Sequence, residues 1–223
     1  MSPSRFSTAL DRGLEHLEIA LDATARQRLA SHFELLCKWA PKVNLTTVLE
    51  PEAAASLHYL DSLAYLKVDS GDDDIIDVGT GAGFPGLVLA AATARPTVLI
   101  DPLRKRTSFL RAAVAQLGLK TVRVVQGRLD LPLPPAGDPL GRFPTGGLVV
   151  SRATFPPEVW LDGGRSVLGP GGRLVLSRGR GGAEIPALED RAAAGGLVCM
   201  ARVRLELPGG HHRILDAWRP ARL

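Results

Sequence analysis

Apolar positions recur along this chain with two different periods. Over residues 24–40, Leu29, Phe33, Leu36 and Ala40 fall at i, i+4, i+7 and i+11, with Arg26, Arg28 and Lys38 elsewhere. That spacing predicts an amphipathic helix, which Pro41 is expected to stop. A second helix is predicted from Pro51, with Glu52 in its first turn, to Lys67. The first 70 residues thus read as a helical segment. The polar run Ser70-Gly71-Asp72-Asp73-Asp74 links it to residues 71–223, where the period changes.

From there, short β-branched runs alternate with helical stretches. Strands are predicted at 74–78, 97–100, 122–125, 148–150 and 173–177, and helices at 85–94, 103–117, 157–168 and near 184–194. Leu103, Thr107, Leu110, Val114 and Leu117 are expected to line the inner face of the second of these helices, with Gly118 just past its end. Residues 131–147 are rich in proline and glycine and read as loop. Two last strands, 197–205 and 213–218, flank the turn Pro208-Gly209-Gly210. The rhythm predicts a mostly parallel sheet covered on both faces, ending in an antiparallel edge hairpin.

The most chemically specific stretch is Asp77-Val78-Gly79-Thr80-Gly81-Ala82-Gly83-Phe84-Pro85-Gly86, at the junction of the first strand and its helix. Glycine reaches positive φ and has no Cβ, so backbone can approach a nucleoside closely. Pro85 suits a first helical turn, whose N–H has no intrahelical partner. Residues 81–86 fit the dinucleotide pattern G-x-G-x-x-G, with Asp101 at the end of the next strand. The glycines at 79, 81 and 83 behind Asp77 equally resemble the first motif of class I methyltransferases, which bind S-adenosylmethionine. No basic residue stands in the turn to neutralise a pyrophosphate, although helix N–H groups alone can do so. The order of elements favours the methyltransferase. A Rossmann-like, seven-stranded, mostly parallel sheet with an antiparallel C-terminal hairpin fits the pattern, and no room is left for a dehydrogenase's substrate domain. The fold class is therefore α/β, class I S-adenosylmethionine-dependent methyltransferase, with an N-terminal helical extension.

Charge and composition narrow the setting. The net charge is +4 and the sequence pI about 9.4, a modest basic excess compatible with nucleic acid. Much of the arginine fits a GC-rich coding bias. No uncharged run reaches membrane-spanning length, and the first residues lack a signal-peptide core. A cytoplasmic location is the default expectation. Cys37 and Cys199 are expected to be small buried hydrophobes, with no metal site and no disulfide.

Several acceptor chemistries lack their residues. Methylation at cytosine C5 needs a thiolate, commonly after proline, and neither cysteine follows a proline. Exocyclic amine methylation usually uses Asp/Asn-Pro-Pro-Tyr after the fourth strand. Phe155-Pro156-Pro157-Glu158 lacks both the polar group and the final aromatic, and Ser151-Arg152-Ala153 occupies that place.

The chain also carries Trp39, Asn44-Leu45-Thr46, His58 with Asp61-Ser62-Leu63, Lys105-Arg106 with Phe109-Leu110, and Arg128. With the glycine turn and Ser151-Arg152-Ala153, this set resembles the small-subunit ribosomal RNA methyltransferase G family, also called glucose-inhibited division protein B. The resemblance runs from about Cys37 to Ala153. It implies methyl transfer from S-adenosylmethionine to N7 of a guanine in the 16S rRNA of the small ribosomal subunit. N7 carries a lone pair and no proton, so no general base is required and positioning dominates. No catalytic dyad is expected; Arg128, Arg152 and Asn44 are the positioning candidates.

Gly79, Thr80, Gly81, Gly83 and Phe84 are expected to floor the cofactor pocket beside Asp77, with Asp101 accepting from ribose hydroxyls. Leu129 and Asp130 would flank the adenine, where the family usually has glutamate. Arg152 resembles the family's arginine at the cofactor–acceptor junction, with an ion pair to an acid such as Asp77 as the structural alternative. Asn44 suits a turn cap or a substrate contact equally, and His58 either a structural place or the pocket entrance. Arg104, Lys105 and Arg178 are candidate RNA phosphate contacts, with Arg111 and Arg180 nearby. The expected partner is 16S rRNA within a ribosomal particle, bound by a monomer without a membrane or a metal. Rival readings are a methyltransferase of a small molecule or protein, and a non-catalytic nucleotide- or RNA-binding module.

Overall fold

The computed structural model describes residues 4–69, 71–128, 146–179 and 185–221. Its centre is a seven-stranded sheet in the order β3-β2-β1-β4-β5-β7-β6. The strands are β1 (Ile75–Val78), β2 (Thr97–Asp101), β3 (Val122–Gln126), β4 (Gly146–Ser151), β5 (Leu168–Arg178), β6 (Leu197–Leu207) and β7 (His211–Pro220). Pairs β1–β2, β2–β3, β1–β4 and β4–β5 are parallel, while β7 runs antiparallel to both β5 and β6. The hairpin therefore folds back so that β7 fills the place beside β5 and β6 becomes the edge. The chain moves outward one way from β1 through β2 and β3, and the other way from β4. The reversal between β1 and β4 opens a crevice at the strands' C-terminal ends, where ligands bind in open α/β sheets.

Successive strand residues feed opposite faces. Ile76, Val78, Ile100 and Val149 pack with Trp160, Leu161, Leu174, Leu188 and Trp218 beneath α7 (Pro157–Gly164) and α8 (Ile185–Ala194). On the other face Leu99 joins Leu87, Val88, Phe109 and Leu110 from α5 (Gly86–Thr93) and α6 (Arg104–Gln116). The same apolar cluster takes in Phe6, Leu10, Leu29, Leu36, Tyr59 and Leu60, so it runs without a break across residue 70.

Helix α1 (Arg5–His16) starts on Ser4, whose side chain accepts from the Ser7 amide, and buries Phe6, Leu10 and Leu14 at i, i+4, i+8 spacing. Helix α2 (Ala23–Val43) buries Leu29, Phe33, Leu36 and Ala40, as its spacing predicts. Pro41 does not end it. The proline sits in the last turn, where little helix remains to be broken, and Asn44 caps the helix in the left-handed conformation at φ 52°.

The expected helix over 51–67 is continuous but uneven. It runs as α3 (Pro51–Ala54), a π-helical segment (Ala55–Leu60), α4 (Asp61–Leu63) and a 3-10 turn (Ala64–Lys67). Two expectations about single side chains fail. Leu103 precedes α6 and is 51% exposed rather than buried. Cys199 is exposed because β6 is an edge, and Cys37 is only half-buried.

Candidate functional site

At the end of β1 the amides of Gly79 and Thr80 both donate to the Ile100 carbonyl, at 2.9 and 3.1 Å, and the chain turns off the sheet. Gly79, Gly81 and Gly83 take φ of +77°, +61° and +94°, a region that side-chain-bearing residues enter only with strain. A Cβ on Gly79 would strike the Thr154 side chain and one on Gly83 would strike Leu87, whereas one on Gly81 would meet nothing within 4 Å. Gly81 is where bare backbone faces open space. Two carboxylates fix the turn from behind. Asp77 is fully buried and its Oδ2 accepts from the Gly86 amide at 2.7 Å. Thr80 Oγ1 lies close to the same carboxyl without the geometry of a full hydrogen bond. Burial pushes the Asp77 carboxyl up to about 6, partly offset by Thr80 and the Gly86 amide. Asp101 accepts from the Gly81 amide at 3.1 Å and the Leu103 amide at 2.9 Å.

A cleft of about 280 Å³ opens over this turn. Besides the turn itself, its lining includes Leu45, Thr46, His58, Phe84, Arg152 and Thr154. The His58 ring stacks on Phe84 with centroids 4.7 Å apart and planes at 21°. The Arg152 guanidinium lies 5.1 Å from the centre of the same Phe84 ring. Arg152 Nη1 donates to the Leu57 carbonyl at 3.0 Å and to Asp61 Oδ2 at 3.1 Å, and Nη2 lies 3.5 Å from His58 Nδ1. His58 Nε2 is 2.8 Å from Thr46 Oγ1. Since Arg152 can only donate, Nδ1 is the acceptor and Nε2–H donates to Thr46. Burial and then Arg152 lower the His58 pKa to about 4, so the ring is neutral at pH 7.

Against known proteins, the family model for rRNA small subunit methyltransferase G matches residues 25–197. The chain is 37% identical to the Ribosomal RNA small subunit methyltransferase G of Anaeromyxobacter sp. (strain Fw109-5), covering 98% of this chain and 99% of that protein. It is 40% identical to the protein of that name from Halorhodospira halophila, over 76% and 77% of the two chains. The chain belongs to the rRNA small subunit methyltransferase G family. Among solved structures it superposes on a TehB-like SAM-dependent methyltransferase from Corynebacterium glutamicum with TM-score 0.53 and 17% identity, covering 86% of this chain and 99% of that one. It superposes on TrmN from Thermus thermophilus with TM-score 0.55 and 20% identity, over 81% and 53%. These likenesses establish the class I methyltransferase fold.

In this methyltransferase G family member, the sequence-predicted residues separate into groups. Gly79, Thr80, Gly81, Phe84, Arg152 and His58 all line the cleft. Gly83 supports the turn, and Asp77 and Asp101 lie behind it, 0% and 1% exposed. Arg152 pairs with Asp61, not Asp77. Asn44 is the exposed cap of α2 and does not line the cleft. Arg104 and Lys105 are exposed on the first turn of α6, and Arg128 is exposed just past β3. Leu129 and Asp130 lie outside the described residues. Arg178 is a correction. As a phosphate contact it would need solvent access, yet it is buried, with Nε donating to Asp216 Oδ2 at 3.0 Å. β5 continues through Arg178, and β7 places Asp216 two register positions away.

Four residues that matter here carried no assigned role in the sequence. Arg106, next to Lys105, turns into the cleft and lies 3.5 Å from Asp101. Thr154 closes the mouth, with Oγ1 donating to the Gly79 carbonyl at 3.2 Å. Thr46 holds His58. His32, fully buried, has Nε2 3.1 Å from the Ala82 carbonyl and Nδ1 2.9 Å from Tyr59 Oη, tying α2 and the π-helical segment to the glycine turn. Thr46 and Arg106 stood within quoted motifs, whereas Thr154 and His32 did not. A larger groove, about 540 Å³, runs between α1, the π-helical segment and the β6–β7 turn, but none of the predicted site residues lines it. Among the described residues no group of three or more His, Cys, Asp or Glu is placed to hold a metal ion, and no helix is long and apolar enough to cross a membrane.

Proposed function

We propose that this chain transfers the methyl group of S-adenosylmethionine to N7 of a guanine in 16S rRNA. The observation that carries the reading is the bare backbone at Gly81, facing a cleft that His58 and Arg152 also line. A nucleoside fits there because no Cβ obstructs it. When bound, the cofactor supplies a methyl group already activated as a sulfonium. The chain's residues hold and orient. Gly79, Thr80, Gly81, Gly83 and Phe84 form the floor, with Asp77 fixing the turn from behind. Asp101 uses one lone pair of each oxygen on the backbone, which leaves acceptor capacity for ribose hydroxyls. Leu129 and Asp130 are proposed to flank the adenine.

No proton has to leave guanine N7, and no side chain among the described residues of the cleft is poised to take one. Neutral His58 has both ring nitrogens engaged, so its part is to shape the wall. Arg152 stands where the acceptor must enter. Arg104, Lys105 and Arg106 give the cleft's α6 side a basic approach for RNA phosphates. Residues 1–70 are proposed to form the acceptor wall as a helical segment sharing the core of the methyltransferase domain, 71–223. A monomer acting in the cytoplasm on a ribosomal particle is the expected setting.

Mapping 7-methylguanine in rRNA with and without the gene, then restoring it with purified protein on isolated small subunits, tests the reading. Calorimetry should show binding of S-adenosylmethionine and S-adenosylhomocysteine. Tight NAD binding without them, or an unchanged rRNA map, would overturn it. RNA affinity should fall with salt by a log–log slope of about −0.7 to −0.9 per phosphate contacted.

A further inference from the structure

Asp61 has no part in the reading above, yet it is the most heavily engaged acid at the cleft. Its carboxylate is 2% exposed and bridges two guanidinium groups from distant parts of the chain. Arg213, near the start of β7, donates from Nε to Oδ1 at 2.7 Å and from Nη2 to Oδ2 at 3.4 Å. Arg152, just past β4, donates from Nη1 to Oδ2 at 3.1 Å. Arg213 is itself braced by its Nη1 on the His212 carbonyl at 3.0 Å. The Leu57 carbonyl that also receives Arg152 lies in the π-helical segment, four residues before Asp61. Helices of that kind are rare and gather at functional sites.

We infer that Asp61 and Arg213 are positioning residues: together they fix the Arg152 guanidinium at the cleft mouth for the acceptor base. The inference rests on the proposed function and names what the acceptor subsite selects. Arg152 has both Nη1 hydrogens committed to Leu57 and Asp61 and one Nη2 hydrogen directed at His58. Its remaining N–H groups have no acceptor among the described residues. A donor-only edge suits guanine, which presents the acceptor O6 beside N7, and disfavours adenine, which presents an amino donor there.

The charge arithmetic points the same way. Arg152 and Arg213 would place two positive charges beside a reaction that leaves a cationic 7-methylguanine. One buried carboxylate between them reduces this to one. The hairpin's Arg213 thus reaches the acceptor side through Asp61, across 152 residues of sequence.

The test uses the full chain, small subunits lacking the modification, and the variants Asp61→Asn, Arg213→Met, Arg213→Lys and Arg152→Met. A misplacement of about 1 Å can cost about 100-fold in rate, so Asp61→Asn and Arg213→Met should slow single-turnover transfer by about 10- to 100-fold. S-adenosylmethionine affinity should change by less than about 3-fold, because the glycine turn is untouched. Arg213→Lys should restore part of the rate. In the Arg152→Met background Arg213→Met should slow the reaction no further, since the second residue acts through the first. The Arg152 Nε–H signal in NMR should shift or broaden in Arg213→Met. That signal reports on the positioning even if the acceptor is not rRNA, and wild-type protein inactive on subunits would sink only the functional reading. Losses that multiply in the double variant, a parallel loss of cofactor affinity and rate, or an unmoved Arg152 signal would overturn the inference. Arg213→Met keeps the Asp61–Arg152 pair and serves if Asp61→Asn does not fold.

Discussion

The stability of this protein should depend on pH through His32, in a direction and size that its surroundings set. The ring is completely enclosed, edge-on to Tyr59 at 5.6 Å and to Phe84 at 5.5 Å between centroids. Burial is the main cause that lowers its pKa from 6.5 to about 4, against the Ala82 hydrogen bond and with a smaller contribution from His58. Between these values the unfolded chain binds a proton that the folded chain does not. Stability from this residue is therefore complete above pH 6.5 and is lost as the pH falls toward 4. At about 1.36 kcal/mol per pH unit the full cost of charging is about 3.4 kcal/mol, of which about 2.5 is lost between pH 7.5 and 4.5. His32→Phe keeps an aromatic ring and removes the titration. It also strands the Ala82 carbonyl and the Tyr59 hydroxyl, at about 2 kcal/mol. Urea unfolding at constant ionic strength should then give a variant about 2 kcal/mol less stable at pH 7.5 and level with wild type near pH 4.5. His58 is present in both proteins and cancels. A gap between the two curves that stays constant across this range would refute the reasoning.

Asp77 works in the opposite sense. Its pKa is raised to about 6, so its stabilising contribution is greatest below about 3.8 and is lost as the pH rises through 6. Asp77→Asn should gain about 2 kcal/mol over wild type at pH 8, shrinking toward pH 4 in denaturant titrations; a variant less stable at pH 8 would contradict this. Gly81→Ala meets no neighbour, so it should lose only about 1–2 kcal/mol to its backbone angle, while calorimetry shows cofactor affinity falling at least about 10-fold. Gly79→Ala must also displace Thr154 and should unfold earlier than Gly81→Ala in a thermal melt. Arg178→Met should destabilise by about 3 kcal/mol, since Asp216 stays buried with one partner fewer. The salt slope of RNA binding should not change, and a slope reduced by one phosphate would restore Arg178 to the interface.

The glycine turn and the strand–helix rhythm were legible because they are local: Asp77 to Gly86 spans one turn, and a strand shows itself in a few residues. The hairpin was legible from Pro208-Gly209-Gly210 between two β-rich runs. What escaped reading depends on partners distant in sequence. Arg178 stands just past the predicted end of a strand, as a ligand contact would, and only the neighbouring β7 reveals Asp216 as its partner. Arg152 was visible as a cation at the strand end, but its acid, Asp61, is 91 residues away. The π-helical segment leaves no clear mark on the spacing of Leu57, Leu60 and Leu63, although it sets where the Leu57 carbonyl and His58 point. Pro41 misled because a proline signals a boundary only to within a turn.

His32 holds the peptide between two of the glycines from a helix that begins more than fifty residues upstream. Whatever settles into the turn must therefore also quiet that helix and the aromatic rings packed around it. Hydrogen exchange should register ligand occupancy as slower amide exchange in residues 29–36, none of which lines the cleft. The N-terminal helices would then be a gauge of whether the enzyme is loaded, readable without following the reaction at all.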